Sequence, residues 1–306
     1  MLFLKNRLFL YLTIGAVLFS LNCAVLTKSQ LSSIHNFAEL SQSYSEIPAD
    51  ILDGYREIRK ENDLMKITNR IFDDEADADS AWSALMRSQK MNKRLVSESG
   101  QLRATLNILT HYSELLLLLS SDKFVDEFAT HTKSLSQTLQ NDIAEYNQKY
   151  QKNIVEMSRI LGDMVMQLGG LCIRRKQTKL LKRYIFETDT IIADLTTDIA
   201  DFTEFFVDDT VYFDAALTAE QKALKNIFKT RALSNQTNFP YFYLKQVDAQ
   251  TQKIEEIRQL SKLCLDASKN YREAHAVLRE LTNRKQNIVQ QIEAVQKLAT
   301  QINSIK

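Results

Sequence analysis

Leu181, Ile185, Thr188, Ile192, Leu195, Ile199, Phe202 and Phe206 follow one another in alternating steps of four and three, and all but Thr188 are apolar. Tyr271, Ala274, Leu278, Leu281, Lys285, Ile288, Ile292, Val295, Ala299 and Ile302 repeat the pattern, with Lys285 the one charged member. A 3.5-residue repeat keeps one stripe turned towards a partner helix, the requirement for knobs-into-holes packing. Elsewhere the spacing predicts a short helix through Ile34, Phe37 and Leu40 that ends before Pro48, then a second from Ile51 to Ile71. "DDEADAD" (73–79) separates these from a long helix over 80–120 that contains Gly100. Leu115 to Leu119 are apolar on every side, so neighbouring helices should enclose that end. Ser120, Ser121 and Asp122 read as an N-cap cluster opening a helical region that runs to about Gly170, followed by another to about Val207. "DDTVYFDAA" (208–216) reads as a break, and Thr218 with Gln221 has capping-box spacing for a restart. "SNQTNFP" (234–240) is the clearest turn, and one last helical stretch is expected from Tyr241 to the end.

Composition agrees. The 306 residues hold six glycines and two prolines, far below the usual roughly 7% and 5%. Hairpins and strand crossovers need turn residues, so the expected class is all-α. The arrangement expected is an elongated antiparallel bundle with coiled-coil-like long helices, each extending roughly 50–65 Å at the usual rise per residue. Nothing divides residues 23–306, which are read as a single domain. Trp82, Met86, Met91, Met164 and Met166 fall at helical positions and are expected to fill the core.

Lys5 and Arg7 precede a largely apolar stretch, Leu8 to Leu21, in the manner of a secretory signal. Cys23 stands at its trailing edge. Residues 1–23 resemble a bacterial lipoprotein signal. That resemblance implies removal of residues 1–22, acylation of Cys23, and a body anchored in the bacterial envelope, on the periplasmic side or in the outer membrane. The residues leave two other readings open: an uncleaved inner-membrane signal anchor over Leu8–Leu26, or ordinary cleavage near Ala24. All three export the body.

The net charge is +1; loss of Lys5 and Arg7 would make it 1 − 2 = −1. Neither value carries the basic excess of a nucleic-acid binder. Charge is instead segregated locally. Arg174, Arg175, Lys176, Lys179, Lys182 and Arg183 crowd one stretch, and from Glu187 to Asp209 there follow eight acids and no base. A solvated face that meets opposite charges on neighbouring helices accounts for such a pattern; the functional reading gives the six bases to an anionic headgroup surface.

Candidate chemistry is sparse. Neither Glu127/His131 nor Glu273/His275 has the Glu-x-x-His spacing of di-iron bundles. The calcium-loop echo at Asp73 lacks its glycine at Ala78 and its glutamate at Ala84. G-x-S-x-G and phosphate-binding glycine loops are absent from the sequence. No catalytic residue, metal site or cofactor is therefore expected. Cys172 and Cys264 lie in apolar helical patterns and are read as buried thiols, with pairing the alternative. The most apolar stretch of the body, 154–173, contains Gly162 and Gly169 on one helical face and reads as tight packing. The expectation is a non-enzymatic structural or adaptor protein that meets protein partners through helical surfaces. A membrane-active toxin or pore subunit, releasing 154–173 into a bilayer, is the alternative.

Overall fold

Apolar stripes of this length bury themselves only against one another. A computed structural model describes residues 26–72, 77–121, 124–154, 173–206, 211–233, 241–283, 293, 296–300 and 303. It consists of α1 (Lys28–Phe72), α2 (Ala78–Ser120), α3 (Phe124–Tyr150), α4 (Ile173–Glu204), α5 (Phe213–Leu233) and α6 (Tyr241–Asn283). A two-residue antiparallel ribbon, β1 (Phe205–Phe206) with β2 (Val211–Tyr212), joins α4 to α5. The fold is an all-α antiparallel bundle, as the patterning predicts. The leader with Cys23, the segment 155–172 with Cys172, the turn at 234–240 and the seam positions from Lys285 to Val295 lie outside the described residues.

α1, 45 residues long, extends about 67 Å at the standard rise and sets the length of the molecule. The end where it begins is called the root here, and the other the tip. α2 returns alongside it, with Ser88 Oγ donating to Asp63 (2.8 Å) near the tip and His35 Nδ1 3.3 Å from Ser120 Oγ at the root. α6 also runs antiparallel to α1. Tyr271 pairs with Ser41, and Tyr44 with Ser268, both through buried hydroxyls. α4 and then α5 follow the direction of α1. Gln177 at the start of α4 donates to the Leu119 and Ser121 carbonyls at 2.9 Å. Further along, Asn62 and Asn69 reach the Glu220 (3.2 Å) and Ile227 (3.1 Å) carbonyls of α5. α3 lies against the root half of α2.

The first seam is buried as expected from Leu181 to Ile199: Leu181, Ile185, Thr188, Ile192, Leu195 and Ile199 are each at most 1% exposed, and Phe202 is half-buried against the core. Leu115, Leu116 and Leu119 are also at most 1% exposed.

Several boundaries differ. Pro48 does not end a helix; α1 runs through it. The missing N–H and the ring's clash with the preceding turn normally cost about 3 kcal/mol. The buried side chains of Tyr44, Ile47, Ala49, Ile51 and Tyr55 on either side of it hold the helix together. The region expected to continue to Gly170 breaks at Gln151, which has φ +52°. Asn147 pins the exit by accepting from the Ile154 N–H at 2.9 Å. α5 starts at Phe213, so Thr218 is inside it and bonds back to the Asp214 carbonyl instead of capping. Ser121 closes α2 as its C-cap. Finally, the chain after Asn283 does not continue one straight helix. Lys297 Nζ lies 3.3 Å from Glu273 Oε2, whereas 24 residues of uninterrupted helix would hold them about 36 Å apart. The described residues around Lys297 thus lie back against α6, and Leu298 is wholly buried.

Trp82, Met86 and Met91 are not core filler. Trp82 is 62% exposed, Met86 36%, and Met91 half-buried. The root half of α2 supplies its buried residues, all from Leu95 onward.

Candidate functional site

Three places concentrate polar chemistry. The deepest is a tier of hydroxyls and one imidazole in the root half of the core. Tyr112 and His275 approach at 2.7 Å through OH and Nε2, and His275 Nδ1 lies 3.1 Å from Asp189 Oδ1. Asp189 being a carboxylate, Nδ1 carries the proton, and Nε2 accepts from Tyr112. Arg279 donates to the second Asp189 oxygen. The hydrogen bond from His275 holds the Asp189 carboxyl below its usual range, while burial pushes the His275 pKa down against the pull of Asp189. His275, weighed in the sequence only as a metal ligand, is therefore a satisfied core histidine. Beside it, Tyr271, Ser41 and Ser113 form a chain of hydroxyls that ends on the Leu109 carbonyl. Sealed among helices, this tier fixes register and offers no route for a substrate.

The second place is a cleft of about 570 Å³ at the root between α1, α2 and α3, with His35, His111 and Glu114 over a leucine floor. His111 Nδ1 is 2.7 Å from Asp142 Oδ2, and its Nε2 is 4.0 Å from a Glu114 oxygen. Burial raises the Asp142 pKa, opposed by His111. An imidazole flanked by two carboxylates has the parts of a proton-transfer pair. Sequence reasoning missed it because His111 and Asp142 stand 31 positions apart on separate helices; no local spacing announces it. Among the described residues, no group of three or more His, Cys, Asp or Glu side chains is arranged to hold a metal ion.

The third is the basic stretch. Arg174 and Arg175 fall in the first turn of α4, and Lys176, Lys179, Lys182 and Arg183 follow. Lys179 is exposed, Lys176 and Lys182 are half-buried, and Arg183 donates to Glu187 at 2.8 Å. Through Gln177 this turn packs on the last residues of α2, so the basic cluster sits at the root. Bases at a helix N-terminus and acids towards its C-terminus oppose the helix dipole, each unfavourable by about 0.3–1 kcal/mol. Partners elsewhere in the bundle offset some of the acids: Lys152, just past the end of α3, pairs with Asp198 at 2.6 Å, and Arg279 of α6 with Asp189. The complementary-face reading of these charges therefore holds for Asp189 and Asp198.

Cys264 is a free, buried thiol with its pKa pushed up to about 12 by burial. Among the described residues, no helix is long and apolar enough to cross a membrane. The fold and these sites define an all-α bundle with a sealed polar core and a basic root. No family model, curated protein or solved structure matches the chain.

Proposed function

We propose that the chain is an exported envelope protein, acylated at Cys23 after loss of residues 1–22, whose bundle acts as a non-enzymatic spacer or adaptor. The observation that carries the reading is polarity of layout. Residue 28, where α1 begins, and the basic first turns of α4 share the root, and α1 leads about 67 Å away from it. A lipid at Cys23 would enter the bilayer beside Arg174, Arg175, Lys176, Lys179, Lys182 and Arg183. Near an anionic surface each base contributes about 1 kcal/mol, which repays the unfavourable placement at the α4 N-terminus. The tip is then held clear of the membrane, where helical surfaces meet protein partners.

The test is intact-mass measurement on detergent-extracted protein, with Cys23→Ser as control. Loss of residues 1–22 with added acyl mass, and a Cys23→Ser variant that carries no acyl mass, are the expected results. An intact Met1, or a cut beyond Cys23 with no acyl mass, overturns the lipid anchor.

A further inference from the structure

In the tip half of the bundle a cavity of about 370 Å³ lies between α1 and α2. From α1 it is lined by Arg59, Asp63, Lys66 and Arg70, whose steps of four, three and four place them on one helix face. Arg87 and Ser88 line it from α2, and Ile67, Ala84 and Met91 give it an apolar wall. Ser88 donates to Asp63 at 2.8 Å, so in this antiparallel pair Arg87 stands within a turn of the level of Lys66. Lys66 and Arg70 also line a second cavity, of about 310 Å³, between α1 and α5, where Asn226 and Thr230 add polar groups.

The charges here do not balance. Lys66, Arg70 and Arg87 are exposed, and neither Arg70 nor Arg87 has an ion-pair partner among the described residues. Arg59 is half-buried; one terminal nitrogen lies 3.5 Å from the Tyr55 hydroxyl, and its buried Nε has no hydrogen-bond partner among the described residues. Two acids stand against these four bases. Asp63 is held by Ser88, and Glu220 of α5 interacts with Arg59 and Lys66 while accepting from Asn62 at 3.0 Å. Asp77 and Asp79, exposed at the start of α2, do not line the cavity, and Asp77 caps its helix by accepting from the Ser80 N–H at 2.6 Å. An excess of two positive charges remains. Lys66 and Arg70, four positions apart, repel one another, and Arg87 adds to that repulsion from the opposite wall. An anion among the three would relieve it.

From this arrangement we infer that the α1–α2 cavity binds a small organic phosphate, its phosphoryl group among Lys66, Arg70 and Arg87 and its organic part against Ile67, Ala84 and Met91. A phosphate monoester carries a charge of about −1.5 to −2 at neutral pH, which matches the local excess. Its oxygens accept the paired N–H groups of a guanidinium fork, and two of the three bases are arginines. The volume falls at the lower end of the roughly 300–1,000 Å³ usual for small-molecule sites, which favours a compact ligand over a protein segment. The site rests on neither the lipid anchor nor the spacer role, so each can fail without the other.

The experiment is calorimetric titration of the full-length chain, in a neutral detergent, with phenyl phosphate and with phenyl sulfate as a monoanion of similar shape. One saturable site for phenyl phosphate is expected, with phenyl sulfate at least fivefold weaker. Arg70→Gln/Arg87→Gln alters exposed side chains and should weaken phenyl phosphate at least tenfold, with the circular dichroism and melting temperature unchanged. Lys225→Gln/Lys262→Gln removes the same charge from exposed positions outside the cavity and should leave the affinity within twofold. Displacement of phenyl phosphate by glycerol 3-phosphate supports a soluble ligand, and displacement by short-chain phosphatidic acid alone a lipid headgroup; either supports the site. Absence of saturable binding at millimolar phenyl phosphate, or equal weakening by both double variants, overturns the proposal. So does polyglutamate that binds more tightly than phenyl phosphate and is lost with Arg70→Gln/Arg87→Gln, which would give the groove to an acidic protein segment.

Discussion

Two tyrosines that stack on one another in the core have opposite hydrogen-bonding situations. The ring centroids of Tyr112 and Tyr184 are 5.2 Å apart, and both side chains are fully buried. Tyr112 meets His275, whereas the Tyr184 hydroxyl has no hydrogen-bond partner among the described residues. Tyr112→Phe strands the imidazole nitrogen and is expected to lower stability by about 1–3 kcal/mol. Tyr184→Phe deletes an orphaned hydroxyl and should be neutral or stabilising; urea unfolding midpoints separate the two. His275 also sets a pH response. Its folded pKa is depressed, so below the ordinary imidazole value of about 6.5 the unfolded chain takes up a proton that the folded one refuses. Stability should therefore fall as pH drops from about 7 towards 5. His275→Gln, though less stable at neutral pH, should show a shallower decline of melting temperature over that range.

At the scale of elements, α1 and α6 approach closely at Gly54. A Cβ built on Gly54 would overlap the Cδ1 methyl of Ile257. Gly54→Ala raises helix propensity by about 1 kcal/mol, yet overpacking commonly costs about 1–3 kcal/mol. Net destabilisation is expected in thermal melts, with relief when Ile257→Val removes the offending methyl. Helix type and the α4 seam were legible in the sequence because burial has a period that local spacing preserves. The ends were less so. Pro48 reads as a stop in isolation, and only the packing around Tyr44 and Tyr55 carries the helix past it. Gln151 shows no glycine or proline to announce its turn. Trp82 and Met86 have helical spacing, but spacing does not say whether a neighbour is present, and at that level of α2 the outer face has none of the described helices against it. The Asp142–His111 pair was invisible for a different reason, since it exists only once α3 lies on α2.

For the whole molecule, closure at the root depends on the last residues. Leu298 belongs to the continuous core, and Lys297 meets Glu273 on α6. Leu298→Ala is expected to lower stability by about 2–5 kcal/mol, the range for a leucine deleted from a packed core. Ending the chain after Asn283 should cost at least as much, both read as calorimetric transitions. If the returning segment were a loose tail, neither change would move the transition.

The reciprocal pairs Tyr44–Ser268 and Tyr271–Ser41 hold α1 and α6 at one alignment. Sliding one helix past the other by a turn would break both pairs together and take buried hydroxyls away from the partners they have. A pull on the far end of the bundle is thus delivered to the near end as displacement, not dissipated as slip, and the molecule behaves under load as a strut.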